Sequence, residues 1–314
     1  MKEKNKPFKI VSVNISTQKG TIKKAVDEIK LTFKGISGDA HAGSWHRMVS
    51  LLGTESFKKF ELEAGRPLAY GEFAENITTE GLILYKTAPF DRFQIGDVEL
   101  EVTQIGKKCH GSSCAIFKEV GNCVMPKEGI FARVIKEGVL RTGDTGIYLP
   151  KVFKVMVITL SDRASKGEYE DKSGPAIAEK LQTFFGINNW DYELTPKLIP
   201  DDPSQLDDLL KQAVNQNFDL VFTTGGTGIG PRDFTPDVVK KHLDMEIPGL
   251  MEHIRLKYGS EKPQALLSRS IAGKMSESLV FVLPGSVKAI NEYMHEILAG
   301  LKHMLLMVKG IDLH

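Results

Sequence analysis

The second half of the chain alternates apolar runs with helical segments. Continuous apolar runs at residues 155–160, 218–222 and 279–283 are typical of strands that are buried on both faces of a parallel sheet. Between them, segments such as residues 175–185 repeat apolar side chains at helical spacing. This alternation predicts an α/β domain with a doubly wound parallel sheet. Its ligand-binding loops are expected at the carboxyl edge of the sheet, at residues 161–174, 200–202, 223–235 and 284–286.

The first half has a different pattern, with many short strands separated by glycine corners. Residues 93–105 alternate apolar and polar side chains on both sides of Gly96-Asp97, which predicts a tight hairpin turn. A series of such strands predicts a small, partly closed β-barrel. We therefore predict two domains, a mainly β domain at residues 1–150 and an α/β domain at residues 151–314.

A glycine-rich loop follows the apolar run at residues 218–222. Residues 223–233 read TTGGTGIGPRD, and beyond them Thr235 is placed to cap a helix, with Pro236 in its first turn. A strand, a flexible loop and a helix N-terminus together present backbone N–H groups to anions. The loop is neither a Walker A loop, since Pro231 follows its last glycine, nor a dinucleotide fingerprint, since its glycines alternate. An ordinary βα loop is the alternative; the neighbouring Thr, Arg and Asp side chains favour an anion site.

Charged side chains fall at the ends of separate predicted strands. Asp201 and Asp233 could hold a divalent cation, which carboxylates beside a phosphate site require to avoid repelling the ligand. For each aspartate the alternative is helix capping or turn formation. Ser173 is expected to cap a helix that has Pro175 at its first position. Phosphate oxygens could be neutralised by Arg163, Arg232 and Arg269.

Composition and charge argue against nucleic-acid-binding, membrane-spanning and secreted proteins. The chain has 314 residues with 26% charged and 41% hydrophobic side chains, ordinary values for a soluble globular protein. Its net charge of +1 argues against an electrostatic nucleic-acid binder. No apolar run approaches the roughly 20 residues of a membrane span, and the start, MKEKNKPFKI, has no apolar secretory segment. We therefore expect a cytoplasmic protein with no membrane partner.

The three cysteines all lie between residues 109 and 123. An odd count without an export signal indicates reduced thiols and not a disulfide framework. A structural zinc site with His110 or His41 as its fourth ligand matches the C-x4-C spacing poorly. Small buried thiols are one alternative. The other is a reactive or soft-metal-binding thiolate, whose pKa the basic residues at positions 107–110 would lower.

Four motifs of the first half resemble the MOSC domain of molybdenum-cofactor sulfurases and free-standing bacterial proteins. They are GDAHAGSWHRMVSLL, GEFAENITTEGL, IGDVELEVTQIGKKCH and CVMPKEGIFAR, and the resemblance covers residues 8–150. It implies a β-rich module that handles the molybdenum cofactor or sulfur through a cysteine, and it carries a weak association with pyridoxal phosphate. Cys114 best fits the usual placement of that cysteine, and Cys109 and Cys123 are further candidates. By the same resemblance, the cofactor's phosphate is expected near Arg47, His41 and Arg133.

The second half is similar to the molybdopterin adenylyltransferase family over residues 152–308. The shared motifs, in order, are ITLSDRASKGEYEDKSG, LIPDD, TTGGTGIGPRDFTPD, IPGLMEHIR, LLSRSIAG and LPGS. This resemblance implies Mg²⁺-dependent transfer of AMP from ATP to the terminal phosphate of molybdopterin, with release of pyrophosphate, by a homotrimer. It makes Asp201 and Asp233 the metal-binding and catalytic pair. The implied pterin, phosphate and nucleotide contacts are Ser161, Asp162, Arg163, Asp171, Ser173, Gly174, Thr224, Gly225, Gly226, Thr227, Gly228, Arg232, Ser268, Arg269, Pro284 and Gly285.

Two modules that resemble proteins acting on one molecule predict a bifunctional protein of molybdenum-cofactor biosynthesis. Its partners would be molybdopterin and ATP, together with other molybdenum-cofactor enzymes. The alternative is a non-catalytic molybdopterin-binding or cofactor-carrier protein, against which the acidic pair argues. For the first half the choice is between a site for the molybdenum cofactor or sulfur and a passive docking module.

Overall fold

The computed structural model describes residues 2–107 and 123–311. Two compact units divide this part of the chain: residues up to Lys151, together with Ile311, form the first unit, and Val152–Gly310 form the second. Across the described ranges, no helix is both long and apolar enough to cross a membrane.

The first unit is built mainly from strands. Its described helices are α1 (Thr54–Ala64) and the short α2 (Met125–Glu128), with a 3₁₀ turn at Leu84–Lys86. Its described strands are β1 (Lys6–Ile15), β2 (Lys24–Val26), β3 (Glu28–Thr32), β4 (Gly35–Ile36), β5 (Val49–Gly53), β6 (Ile77–Glu80), β7 (Arg92–Ile95), β8 (Val98–Ile105), β9 (Ile130–Lys136), β10 (Gly138–Arg141) and β11 (Thr145–Leu149).

Seven of these strands close into a barrel in the order β11-β7-β8-β9-β5-β6-β1, and β11 pairs back with β1. Strand β2 extends the sheet beyond β1, and β10, β3 and β4 form a separate small sheet. The inward-facing side chains, such as Ile10, Leu51 and Val102, are fully buried and fill the barrel as one apolar cluster. Ile95 pairs with Val98, so Gly96-Asp97 forms the predicted two-residue turn. The predicted β-barrel is confirmed.

The second unit alternates strands and helices. Its strands are β12 (Val152–Leu160), β13 (Asp191–Ile199), β14 (Leu220–Thr224), β15 (Met245–Glu246), β16 (Ala272–Met275) and β17 (Ser278–Leu283). Its helices are α3 (Asp162–Ser165), α4 (Ser173–Ile187), α5 (Pro203–Asn215), α6 (Thr235–Lys240), α7 (Pro248–Gly259) and α8 (Val287–Val308), and Pro263–Leu267 forms a 3₁₀ helix.

These strands form one sheet in the order β13-β12-β14-β17-β16-β15. The first four are parallel, which confirms the predicted doubly wound α/β fold. The last two are antiparallel and were not predicted as strands. Buried side chains such as Ile158, Val221 and Val282 come from the apolar runs and pack against the helices. Because β12, β13, β14 and β17 run in parallel, their carboxyl ends share one edge of the sheet.

Two predicted helix caps are wrong. Helix α4 begins at Ser173 without a side-chain cap of the predicted kind; instead, the Asp171 carboxylate accepts hydrogen bonds from the backbone N–H groups of Ser173 (2.8 Å) and Gly174 (3.3 Å). An ionised carboxylate is a stronger acceptor for these N–H groups than a serine hydroxyl. Helix α6 begins at Thr235, after Phe234, and it too has no side-chain cap. Neither hydroxyl group therefore caps its helix.

Candidate functional site

The loops after the four parallel strands meet at the carboxyl edge of the second unit's sheet. The backbone N–H of Ser161 donates to the carbonyl of Ile199 at 2.9 Å, which joins the loops after β12 and β13. The hydroxyl of Thr224 donates to the carbonyl of Pro284 at 2.8 Å, which joins the loops after β14 and β17. These bonds join the predicted ligand loops in two pairs.

The loop after β14 turns sharply at two glycines. Gly225 has a φ of +107°, and a Cβ atom there would lie 2.5 Å from the carbonyl oxygen of Leu160. Gly226 has a φ of +61°, and its Cβ would lie 2.5 Å from the hydroxyl oxygen of Thr235. That hydroxyl is buried, and the described residues offer it no hydrogen-bond partner. Only glycine combines this conformation with such close neighbours.

Three aspartates from different loops approach one another at this edge. One carboxylate oxygen of Asp162 accepts a hydrogen bond from the backbone N–H of Asp201 at 3.0 Å, and the other lies 3.3 Å from a guanidinium nitrogen of Arg232. The carboxylate of Asp233 accepts the backbone N–H of Gly230 at 2.8 Å, so it is folded back over its own loop. Asp162 thus connects the loop after β12 with the loops that carry the predicted pair.

The pKa of Asp201 is affected by the neighbouring charged side chains. Its pKa is raised, first by partial burial and then by the negative charges of Asp162 and Asp233, whereas Arg232 acts in the opposite direction. Asp233 is therefore close enough to Asp201 for its charge to act on that carboxylate, and the role of the two residues as a metal-binding pair stays a prediction. A cation bound between them would relieve this repulsion.

The acidic side chains at this edge could bind a divalent ion that takes most of its ligands from water and substrate, but they do not form a complete metal centre. Within residues 2–107 and 123–311, no group of three or more His, Cys, Asp and Glu side chains is arranged to hold a metal. Two carboxylates such as Asp201 and Asp233 are a typical protein contribution to Mg²⁺, which takes its other ligands from water and substrate phosphates. The residues present are compatible with that mode of binding.

Arg269 binds the glycine loop itself. Its backbone N–H donates to the carbonyl of Thr227 at 2.8 Å, and its guanidinium donates to the carbonyl of Gly228 at 2.8 Å and to the carbonyl of Asp233. The same guanidinium pairs with the carboxylate of Asp237 at 3.0 Å. These bonds hold the loop between β14 and α6 in place. The predicted contact of Arg269 with a phosphate stays a prediction.

Three other predicted contact residues bind tyrosine side chains. The hydroxyl of Tyr293 donates to the hydroxyl oxygen of Ser268 at 3.1 Å. The guanidinium carbon of Arg163 lies 5.1 Å from the centre of the Tyr169 ring, and the Tyr169 hydroxyl lies 2.9 Å from that of Ser161. The predictions for Ser161 and Arg163 did not include the tyrosine that joins them.

Asp171 organises the start of helix α4. It accepts a hydrogen bond from the Thr159 hydroxyl at 2.8 Å, in addition to those from the N–H groups of Ser173 and Gly174. A Cβ atom on Gly174 would lie 2.8 Å from this carboxylate. The Ser173 hydroxyl donates to the carbonyl of Gly285 at 2.8 Å and so links this helix to the loop after β17. All four predicted residues of this group lie together at the sheet edge.

The predicted cysteine site of the first unit is only partly described. Cys109 and Cys114 lie outside the described residues. Cys123 is half-buried, and it packs against an apolar cluster that contains Phe57, Phe73 and Phe131. That environment agrees with the alternative of a small buried thiol. It does not test whether any of the three cysteines carries sulfur or a cofactor.

The other predicted residues of the first unit fall into two places. The rings of His41 and Trp45 are stacked with their centres 6.4 Å apart, and the Arg47 guanidinium lies 5.1 Å from the centre of the Trp45 ring. His41 and Arg47 therefore share one partly exposed surface, which we call the Trp45 surface. Arg133, on β9, forms an ion pair of 2.6 Å with Glu101 on the neighbouring strand β8.

A buried polar network behind the Trp45 surface was missed. Lys23 forms an ion pair with Asp39, whose carboxylate also accepts a bond from the Asn76 side chain at 3.0 Å. The ammonium of Lys23 lies 3.5 Å from the Nδ1 atom of His41. Glu75 is completely buried nearby, and burial raises its pKa to about 7. Asp39 and Glu75 lie in the MOSC-like motifs, but their sequence spacing gives no sign of a shared network.

Topology and site together define the class of the second unit: it is a doubly wound α/β protein with its candidate site at the carboxyl edge of the sheet. Comparison with known proteins identifies the family. Residues 156–303 match the family described as the probable molybdopterin binding domain, and residues 38–145 match the MOSC domain.

Several relatives are similar to about half of this chain. Molybdopterin adenylyltransferase of Helicobacter pylori strain J99 is 36% identical over 155 residues, which are 49% of this chain and 86% of the relative. The protein of that name in Pyrococcus furiosus is 38% identical over 161 residues, 50% of this chain and 91% of the relative. That of Escherichia coli K12 is 37% identical over 140 residues, which are 44% of this chain and 70% of the relative. The chain therefore belongs to the molybdopterin adenylyltransferase family and carries a MOSC domain in addition, which confirms both resemblances.

Proposed function

We propose that the second unit transfers AMP from ATP to the terminal phosphate of molybdopterin. A phosphate oxygen of molybdopterin attacks the α-phosphorus of ATP. The new P–O bond forms as the bond between the α-phosphorus and the bridging oxygen breaks, and pyrophosphate leaves with the electron pair. No covalent intermediate with the protein is needed, so the protein has to align the two phosphates and offset their charge.

The residues of the sheet edge have separate roles in this proposal. The N–H of Gly225 donates to the carbonyl of Leu283 at 3.1 Å, so the backbone N–H groups of residues 226–228 hold phosphate oxygens, and Arg232 offsets their charge. Asp201 and Asp233 hold Mg²⁺, which would neutralise charge on the transferred phosphate. Asp162 orients the Asp201 loop through the N–H that it accepts. The turn at Gly225 keeps the loop close to the end of β12.

The observation that carries the proposal is the proximity of Asp201 to Asp233 beside the glycine loop. The charge of Asp233 contributes to the raised pKa of Asp201, although the two residues lie on different loops. Repulsion between the carboxylates destabilises the ligand-free site, and a cation that binds together with a nucleotide would offset it. Membership of a family whose relatives are named molybdopterin adenylyltransferase supports the same reaction.

The test uses the full chain with Asp233→Asn and Asp201→Asn. Each variant should bind molybdopterin as the wild type does but release pyrophosphate at least about 100-fold more slowly, a loss typical of removing one transition-state contact. Asp208→Asn, at an exposed position of α5, is the matched control and should keep full turnover. Near-normal turnover in Asp233→Asn would remove our catalytic assignment.

The same assay separates an enzyme from a carrier. Wild-type protein that binds molybdopterin tightly but releases no pyrophosphate from ATP and Mg²⁺ would be a non-catalytic binding protein. We expect adenylyl-molybdopterin and pyrophosphate in equal amounts, because each transfer produces one of each. Product without Mg²⁺ at the same rate would contradict the metal role of the two aspartates.

For the first unit we propose a site for the molybdenum cofactor or its sulfur. His41 and Arg47 lie together on the Trp45 surface and provide cationic and hydrogen-bonding groups for a phosphate. Cys114, with Cys109 and Cys123 as further candidates, would supply the thiolate. Alkylation of the thiols with and without molybdenum cofactor, read by mass spectrometry, should show protection of one of them. Equal alkylation of all three under both conditions would favour a passive docking module.

The remaining expectations from the sequence are proposals as well. We propose a homotrimer in the cytoplasm, which passes its product to molybdenum-cofactor enzymes. Light scattering of the purified full chain tests the trimer, and a monomer at micromolar concentration would contradict it. Addition of pyridoxal phosphate to the same sample tests the weaker association of the MOSC domain with that cofactor.

A further inference from the structure

Tyr169 is an exposed aromatic side chain at the rim of the candidate site. All aromatic residues of Val152–Gly310 lie in described segments, and among them Tyr169 is the only exposed one, with 46% of its surface open. The others are buried or half-buried in the packing of the sheet and helices. An aromatic ring loses favourable burial when it is left in water. Its exposure at this place leaves part of the ring open to a ligand.

Two contacts fix the orientation of this ring. Its hydroxyl lies 2.9 Å from that of Ser161, and Ser161 is itself held by the carbonyl of Ile199 and by the N–H of Ala164. The guanidinium of Arg163 lies over the ring, 5.1 Å from its centre. The ring is thus held at the end of β12 and is not a freely rotating surface side chain. A ring held in this way stacks at a smaller cost in conformational entropy.

We propose that Tyr169 is a stacking platform for a fused heterocycle of the substrates. The heterocycle is either the purine of ATP or the pterin of molybdopterin, since both are flat, aromatic and attached to phosphate. The inference rests on the proposed function of this site and adds a residue that determines which ring it accepts. It also explains why Arg163 lies at the rim: a guanidinium stacked on the tyrosine stays within reach of an anionic ligand.

The experiment compares Tyr169→Leu, which removes the ring, with Tyr169→Phe, which keeps the ring but loses the bond to Ser161. Binding to the full chain is measured by calorimetry with three probes. They are α,β-methylene-ATP, which is not cleaved at the α-phosphorus; inorganic tripolyphosphate, which lacks the purine; and molybdopterin. Thermal unfolding of each variant checks that the exposed position tolerates the change.

If the purine stacks on Tyr169, Tyr169→Leu weakens α,β-methylene-ATP about tenfold or more, the usual effect of losing a base–aromatic stack, and leaves tripolyphosphate unchanged. If the pterin stacks there, the same variant weakens the binding of molybdopterin and leaves the affinity for the other two probes unchanged. Tyr169→Phe should keep wild-type affinity for the stacked ligand to within about threefold, since stacking needs the ring and not the hydroxyl.

An equal loss of affinity for tripolyphosphate and for the ATP analogue would overturn the proposal. The variant would then disturb the loop after β12 and its phosphate contacts, and not the stacking of a ring. Unchanged affinity for all probes would overturn it as well. The proposed reaction is tested separately by the wild type. Heterocycle binding that depends on Tyr169, without pyrophosphate release, would leave the platform standing and refute the reaction; absence of binding to all three probes would refute both.

Discussion

The carboxylate of Asp162 accepts the backbone N–H of Asp201 at 3.0 Å, although the two residues follow different strands of the sheet. The same carboxylate reaches Arg232 on the glycine loop, at 3.3 Å. Asp162 therefore fixes the distance between two loops and adds a negative charge beside Asp201. These two effects can be separated by substitution, because asparagine keeps an oxygen acceptor and removes the charge.

Asp162→Asn should lower the pKa of Asp201, because the charge of Asp162 is one of the causes that raise it. A lower pKa keeps Asp201 ionised at more acidic pH. We therefore expect the acidic limb of the pH profile of AMP transfer to shift to lower pH. Carboxyl NMR titration of Asp201 gives the same quantity without turnover. Asp208→Asn is the control, and a shift to higher pH in Asp162→Asn would contradict the electrostatic role.

Gly225→Ala should destabilise the second unit and abolish substrate binding. The positive φ of Gly225 is unfavourable for alanine, and the new methyl group would lie 2.5 Å from the carbonyl oxygen of Leu160. The strained conformation alone costs about 1–3 kcal/mol, and the overlap adds to it. Gly249→Ala is the matched control, since nothing lies within 4 Å of the added atom. Equal unfolding free energies for the two variants in denaturant titration would contradict this account.

The sheet edge could be predicted because buried parallel strands can be recognised in the sequence as continuous apolar runs. Each run, such as residues 155–160, ends where polar and glycine residues begin, and those boundaries locate the ligand loops. Strand β16 was missed because its sequence, AGKM, is too short and too polar to alternate clearly. It forms because Ala272 pairs with Phe281 on β17, a contact that only the folded sheet provides.

The partner of a charged side chain was harder to predict than its place in the fold. The sequence places Arg269 near the glycine loop, but it does not reveal that the loop carbonyls and Asp237 bind its guanidinium. The network of Lys23, Asp39 and Glu75 was missed for the same reason. These residues lie in three separate loops, before β2, after β4 and before β6, and only the folded chain brings them together. Hydrophobic periodicity carries no information about such long-range polar pairs.

Lys23→Met should strongly destabilise the first unit. The Lys23 ammonium is buried against Asp39, and its removal leaves a carboxylate buried without its counter-charge. Loss of one partner of a buried pair typically costs about 3–5 kcal/mol, and the bonds from Asn76 and the His41 N–H place this case near the lower end. Lys24→Met, at the exposed neighbouring position, should be nearly neutral. Adding Asp39→Asn to Lys23→Met should restore part of the loss, as measured by hydrogen exchange of β1 and β6.

Glu75→Gln should change the pH dependence of the first unit's stability. Glu75 is fully buried, one carboxyl oxygen accepts the N–H of Gly71 and the hydroxyl of Thr78, and the other has no partner among the described residues. Burial raises its pKa from 4.5 to about 7. The folded state therefore binds a proton more tightly than the unfolded state does between these values. Stability must fall as the pH rises from about 4.5 to 7.

The expected loss is up to about 3 kcal/mol, since one unit of pKa shift corresponds to about 1.4 kcal/mol. Glutamine stays neutral, so Glu75→Gln should remove this slope and be more stable than the wild type at pH 8. The depressed pKa of Asp39 affects stability only at lower pH, below its unfolded value of 3.8, so it does not obscure the comparison. Hydrogen exchange of β6 between pH 5 and pH 8 measures the difference, with the exposed Glu80→Gln as control. Parallel pH profiles for wild type and Glu75→Gln would show that Glu75 stays ionised in the folded barrel.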